Sequence, residues 1–342
     1  MKKLILFMLL VLMLLSIAGC GTQDKNTAEG NGPAPENADD KNFVLKVGYS
    51  GSLCEAPLHM AIEKGFFAEE GLTVDAVKLA PGTAFESISS GKTDAGFNLL
   101  ANLVQPLSNG LPVKLTAGLH TGCDKVLVPN NGKIKTIEDL KGKKIGVPSL
   151  NSSPIIFAKR VLAAHGIGVT EKNMEVEFVV FSNSELPLAL EKGAVDAIAA
   201  NDPVASIAAD QYGLNMLADS AMDAPYKDQY CCTAYVSNKL IAEHPEAAAK
   251  YTRAMMKASR WIQANPDETA KLQVEKKYVA GDAEKNAAIL KTFKYTPSVQ
   301  KAYDSFSIVA KELQDIGMLD KNTDINTLQK NSFQFFDDVK DE

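Results

Sequence analysis

From Val44 onward the apolar positions switch repeatedly between two periods. Val44–Tyr49 (VLKVGY) alternates and is rich in branched residues, the pattern of a half-buried strand. Leu58–Lys64 takes helical spacing after Pro57, a residue suited to a first helical turn. The exchange continues with strands at Leu72–Leu79 and Thr93–Phe97 and helices at Gly82–Ser90 and Ala101–Ser108. It starts again with a strand at Lys143–Val147, a helix from Pro154 to His165 and a strand at Val176–Phe181. A helix at Glu185–Glu191, a strand at Ala194–Ala199 and a helix at Pro203–Gln211 complete that second run. Strand–helix alternation predicts an α/β architecture, here twice over. The segments Gly91-Lys92-Thr93-Asp94-Ala95 and Gly193-Ala194-Val195-Asp196-Ala197 support two similar halves.

Thr233–Ser237 reads as one more strand, after which the pattern is helical: Pro245–Asn265, Asp267–Tyr278, Ala283–Phe293, Pro297–Ile316 and Ile325–Lys340. Pro266 and Pro297 stand at first helical positions. Gly317 follows Ile316 where a helix should stop.

The amino-terminal end has a different pattern. Lys2 and Lys3 precede an apolar run, Leu4 to Leu15, that is shorter than the ~20 residues a spanning helix needs. Ser16-Ile17-Ala18-Gly19-Cys20 then resembles a bacterial lipoprotein box, which implies cleavage before Cys20 and a lipid on its sulfur. Residues 1–20 are thus expected to be a signal peptide. Residues 21–42 lack aromatic and branched aliphatic residues and are expected to be a disordered tether. The remaining ~300 residues exceed what one core usually serves, so two domains are expected. The formal charge is −6, and loss of Lys2 and Lys3 makes the body more acidic still. With no basic run, nucleic acid is excluded as a partner.

Glu63-Lys64-Gly65-Phe66-Phe67-Ala68-Glu69-Glu70-Gly71-Leu72 resembles the amino-terminal signature of one family. That family comprises the nitrate, sulfonate and taurine binding proteins of ABC importers and the binders and makers of a thiamine pyrimidine precursor. Thr136 to Val147 (TIEDLKGKKIGV), Asp202-Pro203 and Ser237-Asn238-Lys239-Leu240 add to the resemblance, which covers Phe43 to Trp261 well and the later helices loosely. It implies an α/β, two-lobed type II periplasmic-binding fold with two interdomain crossings and a helical carboxyl-terminal extension. One lobe would comprise residues 43–123 and 233–342, the other 124–232, with crossings near His120–Lys125 and Tyr230–Ala234. The implied partners are a permease and an ATPase, the implied place is outside the cell membrane, lipid-anchored, and the expected state is a monomer.

On this placement the chain's four cysteines other than Cys20 meet at one cleft. Cys54 follows the first strand, Cys123 lies in the outgoing crossing, and Cys231 and Cys232 lie in the return. Thiolates select Cu(I), zinc and iron–sulfur species, and His120 and Glu55 are candidates to complete a shell. The leading expectation is a non-catalytic protein that needs no cofactor and carries a small or metal-containing solute, with a soft metal or iron–sulfur species as the transported ligand. In a regular strand Cys231 and Cys232 would point to opposite faces. Inert core thiols and a Cys54–Cys123 disulfide stay open, the latter worth ~4 kcal/mol on the chain-entropy picture. Ser50, Asn98, Asn151, Ser152 and Ser153 lie at strand ends or a helix start, where N–H and hydroxyl groups receive ligands. Asp202 is a cap or the partner of a cationic ligand group. No arginine stands at these points, which weakens the nitrate or sulfonate reading. Two alternatives remain: a sulfonate, nitrate-like or pyrimidine-precursor binder with structural cysteines, and an enzyme with Cys123 as nucleophile and His120 as base.

Overall fold

The computed structural model describes residues 43–130 and 132–341. The expected signal peptide with Cys20 and the expected tether lie outside the described residues. The chain begins with β1 (Val44–Tyr49), α1 (Ala56–Glu63), α2 (Phe66–Glu69), β2 (Thr73–Lys78), α3 (Ala84–Ser89), β3 (Ala95–Asn98), α4 (Leu100–Ser108) and β4 (Val113–Thr121). A second run holds β5 (Asp124–Pro129), β6 (Lys144–Val147), α5 (Ser153–Ala164), β7 (Val169–Thr170), β8 (Asn173–Met174) and β9 (Glu177–Val180). It continues through α6 (Leu186–Glu191), β10 (Ala197–Asn201), α7 (Val204–Tyr212) and β11 (Leu214–Asp219). The chain then returns as β12 (Tyr230–Ser237) and ends in α8 (Asn238–Glu243), α9 (Pro245–Ala264), α10 (Pro266–Glu275), α11 (Ala283–Leu290), α12 (Val299–Asp315) and α13 (Ile325–Ser332).

Ten of the strands form two five-stranded sheets, ordered β2-β1-β3-β12-β4 and β11-β5-β10-β6-β9, and β7 pairs with β8 in a separate two-stranded one. β1 is parallel to β2 and β3, whereas β12 runs antiparallel to β3 and β4. In β1 Leu45 and Val47 are buried while Val44 and Lys46 are exposed, the period-2 arrangement its letters announce. All eight residues of β12 are buried, because it lies between two strands with helices on both faces. Each sheet has its own apolar core. One is centred on residues such as Leu45, Leu115 and Tyr251, and the others, on the two faces of the second sheet, on Val126, Phe157 and Ile198.

Five strands escaped the sequence pattern, among them β7 and β8, which are two residues each. β4, β5 and β11 are buried or lie at an edge without clean alternation, so their apolar runs do not announce a face. The crossing expected from His120 to Lys125 passes from β4 of one sheet to β5 of the other and is mostly strand, with only Gly122 and Cys123 between the two strands. Gly122, at φ 82°, is required here, since a Cβ would come within 2.7 Å of the Ala221 Cβ. The last helix ends at Ser332, short of the expected Lys340. Phe333 leaves it in extended conformation and is buried against Tyr303 and Phe306, a packing gain the helix cannot provide.

Candidate functional site

The carboxyl ends of β1, β3, β6 and β10 face a cavity of about 110 Å³. This is where open α/β sheets hold ligands. Its walls combine Phe85, Phe97 and Tyr235 with the amides of Asn98, Asn151, Asn183 and Asn201, and Glu55 is the one carboxylate among the described lining residues. No Lys or Arg is among the described lining residues.

Cys54, Cys123, Cys231 and Cys232 all line this cavity, and all four are free and buried. Regular pleating would have turned one of the adjacent pair away. The register of β12 against β4 shifts between Tyr230 and Cys232 and again between Cys232 and Thr233, and such irregularities re-aim side chains. The Cys123 and Cys231 sulfurs are 2.6 Å apart, beyond the bonded separation of about 2.05 Å. The expected alternative partner of Cys123, Cys54, is not bonded to it. Ligand atoms of Cys54, His120 and Cys232 lie within 4.8 Å of one another, and so do those of Cys123, Asp124 and Cys231. Contacts with the thiols of Cys123, Cys231 and Cys232 hold Cys54 well below the usual thiol range. Burial pushes Cys123, Cys231 and Cys232 well above it. The cluster therefore favours one thiolate among protonated neighbours, a set that a soft cation can deprotonate further.

Glu55 is held by the loop it closes. One oxygen accepts from the Ser50 amide (2.6 Å) and hydroxyl (2.9 Å), the other from the amides of Gly51 (2.6 Å) and Ser52 (2.9 Å). Burial first, then the charge of Cys54, raises its carboxyl to about 7. Asp124, raised to about 8 chiefly by burial, accepts from the Ser153 hydroxyl at 3.0 Å, and its other oxygen has no protein partner. Ser152 donates to the Ser149 carbonyl at 2.8 Å, and Asn98 accepts from the Leu99 amide at 2.8 Å and from Asn102 at 3.1 Å. Ser50, Asn98, Asn151, Ser152 and Ser153 all reach the cavity wall.

Two expected residues do not. His120 lies behind the thiols, fully buried, with Nε2 2.8 Å from the Cys54 carbonyl oxygen and Nδ1 3.1 Å from that of Thr121. Its ring stacks on Phe293 at 5.5 Å. It positions the Cys54 loop, and ligation by Nε2 requires that the carbonyl contact break. Asp202 is also fully buried, paired with Lys125, and accepts from the Ser206 amide (3.1 Å) and hydroxyl (2.7 Å) at the start of α7. Its cation is internal, and its carboxylate receives donors from the first turn of α7. Asn183 and Asn201 were missed, although Asn201 ends β10, where the strand-end rule points.

The enzyme geometry is also not assembled. The Cys123 sulfur meets Cys231, Cys54 and, at 3.9 Å, Asp124, while both His120 nitrogens face carbonyl oxygens. A buried thiol with a raised pKa is the reverse of an activated nucleophile.

The family description NMT1/THI5 like matches residues 55–269. The chain is 26% identical over 289 residues to the riboflavin-binding protein RibY of Chloroflexus aurantiacus, spanning 80% of this chain and 79% of that protein. It is 24% identical over 285 residues to a 4-amino-5-hydroxymethyl-2-methylpyrimidine phosphate synthase of Aspergillus parasiticus, spanning 76% and 74%. Among solved structures, the periplasmic nitrate-binding protein NrtA from Synechocystis PCC 6803 matches with a TM-score of 0.72 at 18% identity, over 85% of this chain and 86% of that one. At this identity the likeness concerns the fold, and the fold is the two-lobed α/β periplasmic-binding one that the sequence resemblance implied.

Proposed function

This chain belongs to the NMT1/THI5 like family, and from that premise we propose that it is the extracytoplasmic solute-binding component of an ABC importer, anchored through a lipid on Cys20. It captures a small thiophilic solute between its two lobes and passes it, without chemistry, to a permease driven by an ATPase. The cargo is a soft metal ion or an iron–sulfur species. One observation carries this reading. Four free thiols from three separate segments meet on one cavity wall that has no cation. Soft cations are held by such donors, and their binding releases thiol protons. A nitrate or sulfonate would meet Glu55 and no guanidinium, so the anion reading has little support.

A second reading has its own observation. Four asparagine amides with Phe85 and Phe97 suit a neutral, planar heteroaromatic solute held by amides and ring contacts. An anaerobic titration with Zn(II), followed by calorimetry and native mass spectrometry, decides between them. One bound zinc, lost in Cys123→Ala, is the expected result. Zinc affinity unchanged in the Cys54, Cys123 and Cys231 variants leaves the heteroaromatic reading in its place.

A further inference from the structure

We propose that Glu55 is a built-in anion that sets which solutes the cavity rejects, because its carboxylate occupies the backbone donors a ligand's anionic group would use. Three consecutive amides, Ser50 to Ser52, and the Ser50 hydroxyl turn toward one point, and Glu55 fills it with two donors on each oxygen. Gly51, at φ 96°, makes the turn that brings the three N–H groups together. Successive amides arranged in this way form an anion-binding concavity. This one is on the cavity wall, and the side chain that occupies it is only 5% exposed.

The consequence is a filter. Protonated or ionised, the Glu55 carboxyl takes the donors' capacity, and when ionised it also repels an incoming anion from a wall without compensating cations. Neutral and cationic solutes meet no such penalty. Truncation of Glu55 leaves a carboxylate-sized recess lined by three amides and a hydroxyl, shaped for formate or nitrate. The inference rests on reading the cavity as the ligand site, and it deepens that reading by naming a class of solute that is turned away.

The experiment compares the intact wild-type protein with Glu55→Ala and Glu55→Ser in mildly alkaline buffer. Formate and nitrate are added in calorimetry and in thermal melts, with chloride as the ionic-strength control. Glu55→Ala is expected to bind formate at least about tenfold more tightly than wild type, and its melting temperature to rise with formate while that of wild type does not. Refolding of an unstable Glu55→Ala protein by formate counts in the same direction. If Glu55→Ala folds and responds to both anions as wild type does, or if wild type binds them equally well, the inference is wrong. Should Glu55→Ala stay unfolded with or without formate, Glu55→Ser, which also empties the recess, is decisive. A several-fold gain in nitrate affinity supports the filter, and no gain overturns it. Zn(II) uptake and its loss in Cys123→Ala report on the cargo reading separately, so the failure of one is visible apart from the other.

Discussion

The loops Ser52-Leu53-Cys54-Glu55-Ala56-Pro57 and Ser149-Leu150-Asn151-Ser152-Ser153-Pro154 open α1 and α5 with the same backbone plan and different chemistry. Each follows a parallel strand, and each has proline in the first turn of its helix. In the first loop Leu53 is buried, Cys54 joins the thiol cluster, and Glu55 fills the donors before it. In the second, Leu150 is 59% exposed, Asn151 replaces the thiol, and Ser152 reaches only the Ser149 carbonyl. A solute between them meets sulfur and a carboxyl on one side and neutral amides and hydroxyls on the other. One supersecondary unit, used twice, thus provides a soft wall and a hydrogen-bonding wall.

Copying the second loop into the first removes this contrast one position at a time. The largest effect is expected from Cys54→Asn, which should weaken anaerobic Zn(II) binding by more than about 100-fold, as judged by competition calorimetry. Equal affinity would mean that the two walls are chemically interchangeable. Glu55→Ser should lower the free energy of unfolding in urea by about 2–3 kcal/mol, since several buried donors lose a charged acceptor.

His59→Ile copies Ile156 and acts on pH dependence. His59 is fully buried, stacks on Tyr278, and burial lowers it to about 3. The unfolded chain, with an ordinary imidazole near about 6.5, takes up a proton that the folded residue refuses down to about 3. This contribution is therefore intact above pH ~6.5 and is lost as pH falls from there. Urea melts should show about 2 kcal/mol less stability at pH 5 than at pH 7 in wild type from this source, and a smaller acid loss in the variant.

The smallest effect tests whether the second loop must touch the turn that follows β2. A Cβ on Gly82 would lie 2.3 Å from the Ser149 hydroxyl, at a φ of 80° that disfavours side chains. Gly82→Ala should hold the second loop away from that turn and speed Zn(II) release about tenfold in stopped-flow chelation. An unchanged release rate would mean that this contact does not retain the solute.

Much of the fold was legible because it rests on local pattern. β1 and β6 follow from period-2 alternation, and the helices from spacing and from prolines and glycines at their ends. β12 shows where that stops. Its strand character was visible from Thr233, but its start at Tyr230 depends on pairing with Thr121, more than a hundred residues away. The site divides in the same way. Cys54, Cys123 and the Cys231-Cys232 pair were assigned to one cleft through family resemblance, whereas the orientation of the adjacent pair depends on a register shift that no local pattern encodes. His120 and Asp202 had the right residue types and the wrong surroundings, because the Cys54 carbonyl and Lys125 reach them only through the fold.

The sequence by itself determined most of the strand and helix segments, which loops begin helices, and that four thiols and few cations are available to one cleft. Those properties depend on side-chain size, branching and charge over a few neighbouring residues. The tertiary structure alone decided that both Cys231 and Cys232 reach the cavity, that His120 stays behind it, and that Glu55 turns back onto its own loop. Each of those outcomes requires donors, acceptors and packed surfaces brought together from distant parts of the chain or by a backbone turn, and they exist only once the sheets have paired.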